Sequence, residues 1–254
     1  MRNFHRIIIG AMLTLSPVLN AETIPPRVVD PAADRLMERV CEQLRSAPAF
    51  SVRADISYDD VLTSGLKVQY SRSSDVVLDR PNHLRVDSES DKGERTFLYD
   101  GKTITIYDPD HNLYAQVPAP DTIDATLDQV EGNGVTMPLE DLVTTEPCEW
   151  LENDVWDGYY GGRHYLDGSY LHHLLFRVDG ADVQVWIEGG GVPVLRKVII
   201  DYLEREGRPR YEARLSDWNF RPSLKEGDFI FTPPEGADRI EFRAAYEAEG
   251  GDRP

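Results

Sequence analysis

The sequence predicts a mainly β fold with a few helices, an α+β class built on one large antiparallel sheet, and three observations carry that prediction. Val183, Val185 and Ile187 alternate with Gln184, Trp186 and Glu188 before Gly189-Gly190-Gly191 turns the chain into a second apolar run from Val194 to Leu203. A period of two marks a strand with one covered face. The same alternation recurs from Phe50 to Phe220, and a central stretch of helical spacing divides it into two sets.

Each element follows in order. Arg2, His5 and Arg6 precede an apolar run from Ile7 to Leu19 that ends at Leu19-Asn20-Ala21, which predicts a secretory signal over residues 1–21 with cleavage after Ala21. The run is too short and interrupted for the roughly 20 apolar residues of a membrane span. Asp30 as cap and Pro31 at the first position open a helix to about Arg45, with Ala33, Leu36, Met37, Val40 and Leu44 on one stripe. Phe50, Val52, Ala54, Ile56 and Tyr58 then alternate as a strand, and Thr63-Ser64-Gly65 turns it into Leu66, Val68 and Tyr70.

Further strands are predicted at Asp75–Arg80, Leu84–Ser88, Arg95–Tyr99, Thr103–Tyr107 and Leu113–Val117, separated by turns rich in Pro, Asn, Asp and Gly. Asp121 or Thr122 caps a helix carrying Ile123, Leu127 and Val130 that stops at Gly132-Asn133-Gly134, and Pro138 and Pro147 open short helical pieces around Leu139–Val143 and Trp150–Leu151. Such inserted helices need a sheet face on which to dock. Strands resume at Tyr159–Leu166, and Asp167-Gly168 makes a two-residue turn into Ser169–Val178, pairing Leu166 with Ser169, Tyr165 with Tyr170 and His164 with Leu171. The last strand is Tyr211–Phe220, and the chain closes through Phe229-Ile230-Phe231-Thr232-Pro233-Pro234-Glu235-Gly236. No linker divides residues 22–243, which read as one domain, and residues 244–254 read as a flexible acidic tail.

Charge narrows the partners. The chain holds 27 basic and 45 acidic residues, a net charge of −18, and loss of Arg2 and Arg6 with the signal makes it −20. That balance repels phosphate backbones and anionic membrane surfaces, so a nucleic-acid partner is not expected. The two cysteines, Cys41 and Cys148, could form a disulfide in an oxidising compartment, while Cys41 on its helical stripe could equally be a small buried thiol.

Reactive motifs are sparse. No His-Glu-x-x-His or Gly-x-Ser-x-Gly occurs, and Gly189-Gly190-Gly191 lacks the Lys-Ser or Lys-Thr of a phosphate loop. Asp108-Pro109-Asp110-His111-Asn112 opens like a calcium loop, but Leu113 stands at the glycine position and Ala119 at the closing glutamate, so it reads as a hairpin turn. His164 and His173 become diagonal neighbours across the Asp167-Gly168 hairpin and would hold a metal only if a carboxylate joined them; the plainer reading is polar residues on a sheet face. No catalytic residue, metal or cofactor is assigned.

The leading helix, the first set of strands, the helical insert and the closing hairpins together resemble a bacterial domain-of-unknown-function family of predicted periplasmic proteins. The matching pieces are Asp30-Pro31-Ala32-Ala33-Asp34, Tyr99-Asp100-Gly101-Lys102-Thr103, Tyr107-Asp108-Pro109, Tyr114-Ala115 with Pro118-Ala119-Pro120, Pro138-Leu139-Glu140-Asp141-Leu142, Trp186-Ile187-Glu188, Leu215-Ser216-Asp217-Trp218 and the terminal Phe231-Thr232-Pro233-Pro234-Glu235-Gly236. That family is similar in fold to the periplasmic lipoprotein carriers of the LolA and LolB type. The resemblance implies a curved, incomplete antiparallel barrel that wraps the inserted helices and encloses an apolar cavity.

The function expected on this reading is a non-enzymatic, periplasmic binding or carrier protein for a lipid, an acyl chain or another apolar ligand. Tyr70, Tyr107, Phe176, Trp186, Tyr202 and Trp218 are the candidate cavity residues, since aromatic strand residues give an apolar wall with polar tips. Plain packing against the inserted helices is the competing role for each of them. Burying an acyl chain gains roughly 0.8 kcal/mol per methylene, so about eight methylenes gain on the order of 6 kcal/mol before costs. The alternatives are a cell-envelope interaction or sensor module, working through an open sheet edge or the acidic surface with another envelope protein as partner, and thirdly a hydrolase with a scattered active site.

Overall fold

The computed structural model describes residues 27–132 and 140–242. The signal at 1–21, the tail at 244–254, Asn133-Gly134 and Pro138-Leu139 lie outside the described residues. In chain order the elements are β1 (Val28–Val29), α1 (Pro31–Ser46), β2 (Ala49–Val61), β3 (Lys67–Asp79), β4 (His83–Ser90), β5 (Gly93–Tyr99), β6 (Thr103–Asp108) and β7 (Leu113–Pro118). They continue with α2 (Ile123–Gly132), a 3₁₀ turn Glu140–Val143, α3 (Glu149–Asn153), β8 (Asp157–Leu166), β9 (Ser169–Val178), β10 (Ala181–Glu188), β11 (Val194–Tyr202), β12 (Arg210–Asn219), a 3₁₀ turn Glu226–Phe229 and β13 (Asp238–Arg239).

All thirteen strands join one curved, unclosed sheet in the order β1-β8-β9-β10-β11-β12-β2-β3-β4-β5-β6-β7-β13. Every pairing is antiparallel except at the two ends, where β1 lies parallel to β8 and β13 parallel to β7. These two-residue strands went unread in the sequence because two residues carry no periodicity. They cover part of each sheet edge, two residues of β8 and two of β7.

Helix α1 begins where its sequence dictates: the Asp30 carboxylate accepts the Ala32 N–H at 2.7 Å and Pro31 occupies the first turn. Its stripe Ala33, Met37, Val40, Cys41 and Leu44 is fully buried. Cys41 is bonded to Cys148, the residue that caps α3, with 5.7 Å between their Cα atoms. The β8–β9 hairpin has the register expected of the Asp167-Gly168 turn, with Leu166 opposite Ser169 and Tyr165 opposite Tyr170. One difference is β3, which runs unbroken where the sequence reading interrupts it at Ser71–Ser74. Those serines are satisfied across the sheet, Ser73 Oγ donating to the Asp55 carboxylate at 2.5 Å and Ser74 Oγ lying 2.8 Å from Ser88 Oγ, so thirteen residues of β2 pair with thirteen of β3.

Register and burial sort the strands into two faces. The inner face carries the helices: Phe50, Val52, Leu78, Leu84, Tyr99, Leu174, Phe176, Val185, Ile187, Leu195 and Leu215 form one buried cluster with α1, α2 and α3. The outer face of β4 to β7 is crossed by the C-terminal segment. Phe229 sits against His83 with ring centres 5.0 Å apart, Phe231 lies 5.3 Å from Tyr107 and 5.2 Å from Tyr114, and Arg85 donates to the Asp228 carbonyl at 3.0 Å.

Candidate functional site

The helices leave part of the inner face uncovered. Along β3 the inner side chains run Leu78, Val76, Ser74, Arg72, Tyr70; along β2 they run Phe50, Val52, Ala54, Ile56, Tyr58; along β12, Leu215, Ala213, Tyr211. On β2 and β3 the environment changes along the strand, whereas Leu215, Ala213 and Tyr211 of β12 are all buried. Leu78, Phe50 and Leu215 are buried under helices, whereas Ile56 and Val76 are partly exposed, and Tyr58, Tyr70 and Arg72 follow outside the helix-packed cluster. The floor therefore passes from dry aliphatic packing to a polar, aromatic mouth within six residues of strand, roughly 20 Å.

The mouth is built by adjacent strands. Tyr211 of β12 stands opposite Tyr58 of β2, which stands opposite Tyr70 of β3, and the Tyr58 and Tyr70 ring centres are 5.7 Å apart. Tyr202 of β11 adds a fourth ring, covered by the Arg205 guanidinium at 4.0 Å, and Lys92 lies 4.7 Å from the Tyr70 ring centre. Burial pushes the Tyr211 hydroxyl's pKa up, with Tyr202 adding to it and Arg72 opposing; burial likewise raises Tyr58 and Tyr202. These hydroxyls are therefore protonated donors at neutral pH. Arg72 stands one step deeper, opposite Ile56, with a buried Nε that has no hydrogen-bond partner.

The six candidate cavity residues separate into three groups. Tyr70 and Tyr202 line the mouth. Phe176 and Trp218 face inward but are packed: Trp150 of α3 meets Phe176 edge-on at 5.8 Å, and Trp218 lies 5.6 Å from Phe50 and donates its indole N–H to the Leu195 carbonyl at 2.7 Å. Tyr107 and Trp186 are on the outer face, which corrects the expectation that they line an inner cavity. Tyr107 lies under Phe231 and donates to the Asn112 side-chain oxygen at 3.0 Å, while Trp186 stacks on His173 at 4.1 Å with Lys197 5.2 Å from its ring centre. Alternation shows which residues share a face but not which face the helices choose. Arg72 and Tyr211 escaped the sequence reading, Arg72 because an arginine in an alternating strand gives no sign of pointing inward.

The histidine pair also belongs to the outer face. A ladder irregularity between Tyr160 and Gly162, where Gly162 takes φ 94°, bends the β8–β9 hairpin so that Asp167 at its tip reaches Arg214 of β12 at 3.0 Å. Under that bend the Nδ1 atoms of His164 and His173 are 3.1 Å apart, and His173 Nε2 is 3.1 Å from the Gln184 side-chain oxygen. Where a metal site would need a carboxylate, Gln184 stands instead, and no group of three or more His, Cys, Asp and Glu side chains converges among the described residues.

Two surface depressions are charged. One of about 620 Å³ lies between α1 and α3, lined by Arg27, Asp34, Arg35, Glu38, Arg39, Leu151 and Glu152. The other, about 590 Å³, is flanked on the outer face by Asp55, Glu89, Asp91, Glu212 and Arg214 and is also bordered by Ile56, Arg72 and Ser90. Neither is the apolar cavity that the family resemblance implies, so the uncovered inner floor is the candidate site. No helix among the described residues is long and apolar enough to cross a membrane.

Comparison with known proteins agrees with this architecture. Residues 33–243 match a family model described as predicted periplasmic protein (DUF2092). No curated protein matches the chain significantly. Among solved structures, lipoprotein LppX of Mycobacterium tuberculosis is 15% identical over 77% of this chain and 100% of its own, with a TM-score of 0.50. LprF from Mycobacterium bovis is 14% identical over 82% of this chain and 99% of its own, with a TM-score of 0.48. A LolA superfamily protein from Nitrosomonas europaea is 12% identical over 78% and 97%, with a TM-score of 0.35. At such identities the likeness to LppX is one of fold alone, and the fold seen here is an unclosed antiparallel sheet with helices packed on its inner face.

Proposed function

This chain belongs to the DUF2092 family of predicted periplasmic proteins, and from that premise we propose that it is a periplasmic binding protein or carrier that holds a lipid, an acyl chain or another apolar ligand on its uncovered inner floor. The observation that carries the reading is the gradient along β2 and β3. Partly exposed Ile56 and Val76 continue the buried core outward and end at a row of tyrosines. Sheet residues of this kind ordinarily sit against a helix or a second sheet, and half-exposed apolar side chains on a curved face are a surface for an apolar partner. The site works by burial rather than by chemistry: no group in it is arranged as a nucleophile beside a base, which favours carriage over hydrolysis.

The test is the mass of the protein as it leaves the cell. Residues 22–254, exported to the periplasm and purified without detergent, are expected to show a native mass above the polypeptide mass, with the excess extractable into organic solvent. A native mass equal to the polypeptide after gentle purification, together with no uptake of hexadecanol, would remove the carrier reading. Weight would then move to the interaction module. Its surface would be the β8–β9 hairpin, where Tyr165 and Tyr170 are 66% and 62% exposed.

A further inference from the structure

We propose that the ligand is an anionic amphiphile, its carboxylate or phosphate head held at the mouth by Arg72 and the tyrosine hydroxyls around it while its hydrocarbon lies along the aliphatic floor. The inference deepens the carrier reading and rests on it.

Arg72 is unusual in its surroundings. It points to the inner face of a sheet, between Ile56 on β2 and Ser90 on β4, and makes no hydrogen bond or ion pair among the described residues. Its Nε is buried without a partner, a costly state for a guanidinium that most arginines avoid. Asp60 and Asp91, the carboxylates that act together with Arg72 on Tyr58, form no ion pair with the guanidinium among the described residues, and Asp91 takes the Ser71 N–H at 2.6 Å. In a chain of net charge −18, leaving one inward cation unpaired concentrates the positive potential of the floor at one point.

The surrounding groups complete a site for an oxyanion. Tyr58, Tyr70, Tyr202 and Tyr211 hydroxyls make no hydrogen bonds among the described residues, so each has a donor to give. A guanidinium fork with hydroxyl donors on its rim matches a carboxylate or a phosphate, and the partly buried setting strengthens each bond. Beyond Arg72 the inner side chains are Ile56, Ala54, Val52 and Phe50 on β2 and, past Ser74, Val76 and Leu78 on β3, so the head and the chain of an amphiphile each meet surface of their own kind.

The experiment compares probes that share a hydrocarbon chain and differ in head: palmitate, hexadecyl phosphate and hexadecanol, with acetate and inorganic phosphate as free anions, titrated below micelle formation into delipidated residues 22–254. Loss of a charge-assisted hydrogen bond in a partly buried site corresponds to about a ten- to hundred-fold change in affinity. The acidic probes are expected to bind that much more tightly than hexadecanol. Arg72→Met should erase the difference while leaving hexadecanol binding unchanged, and Arg72→Lys should restore part of it. Thermal melts of ligand-free Arg72→Met are expected at or above the parent, since it removes an unpaired buried donor; Arg72→Gln serves if the Met variant misfolds. Equal affinity for palmitate and hexadecanol, untouched by Arg72 substitution, would overturn the anionic head and leave the carrier intact. Inorganic phosphate binding as tightly as hexadecyl phosphate would overturn the amphiphile in favour of a free-anion site. Failure of every probe to bind would overturn both readings.

Discussion

A buried histidine and a half-buried glutamate pull stability in opposite directions with pH, and both effects are local. His173 is 6% exposed, stacked on Trp186, and its pKa is lowered by burial first and by His164 next. A histidine held neutral in the fold but free to protonate when unfolded gives stability that is fully present above about pH 6.5 and is lost as pH falls towards its folded value. His173→Gln is therefore expected to flatten the decline in melting temperature between pH 7 and pH 5, and parallel melting curves for parent and variant would refute the assignment. Glu140 does the reverse. Burial first, then Glu131 and Asp141, raise it to about 7, and its Oε2 is buried without a hydrogen-bond partner. Its contribution is present below its ordinary value and is lost as pH rises through 7, because the unfolded carboxyl ionises earlier. Glu140→Gln should gain about 1 kcal/mol at pH 8, after reduction for solvent screening, and nothing at pH 4, as denaturant titrations at the two pH values would show. At this scale the sequence disclosed partnerships within a hairpin, such as His164 with His173, because a two-residue turn fixes register. It did not disclose that Trp186 and Tyr107 lie outside, because face choice is decided by what docks.

Elements were legible wherever local rules act alone. Asp30-Pro31 opens α1, Asp167-Gly168 turns β8 into β9, and the alternation of Phe50 to Tyr58 is β2. They were illegible where a partner supplies the reason, as in β3, whose serine run is held by Asp55 and Ser88 on neighbouring strands. The pairing of α1 with α3 is of the second kind. Cys41 is wholly buried on the α1 stripe and Cys148 is 4% exposed at the start of a five-residue helix with no side-chain cap. Such a short helix has little stability of its own. The bond joins cysteines at a sequence separation of 107, so the double variant Cys41→Ala with Cys148→Ala is expected to lose about 2–5 kcal/mol in urea unfolding. Reductant should lower the parent to the same midpoint and leave the variant unmoved. A parent indifferent to reductant would mean that packing alone holds α3 on Phe176.

The molecule as a whole solves an edge problem. Thirteen strands in an unclosed sheet leave two ends, and a short parallel strand covers part of each, β1 on β8 and β13 on β7. The second cover comes at the end of a strap that also spans the outer face of β4 to β7. Phe229 is 3% exposed against His83, Phe231 lies on Tyr107 and Tyr114, the Asn112 amide donates to the Glu235 carbonyl at 3.2 Å, and Arg239 donates to the Gln116 carbonyl at 3.1 Å. Sequence alone could not place this strap, since Phe229 to Gly236 has no period and its role depends on strands more than a hundred residues earlier. It explains why both faces of β6 are buried, with Ile104 and Ile106 facing the helices and Thr105 facing outward. Phe229→Ala is expected to cost about 3 kcal/mol, as for a large buried aromatic. A chain ending at Ser223 should lose more than stability, because it bares the β7 ladder and the Tyr107 and Tyr114 rings together. Bared edges of that length pair with one another. Light scattering on the eluting protein is expected to show dimers and larger species for the truncated chain and a single smaller species for the parent. A truncated chain that elutes as the same species as the parent, with an unchanged melting temperature, would mean that the strap is decoration and that β7 is protected by its own twist.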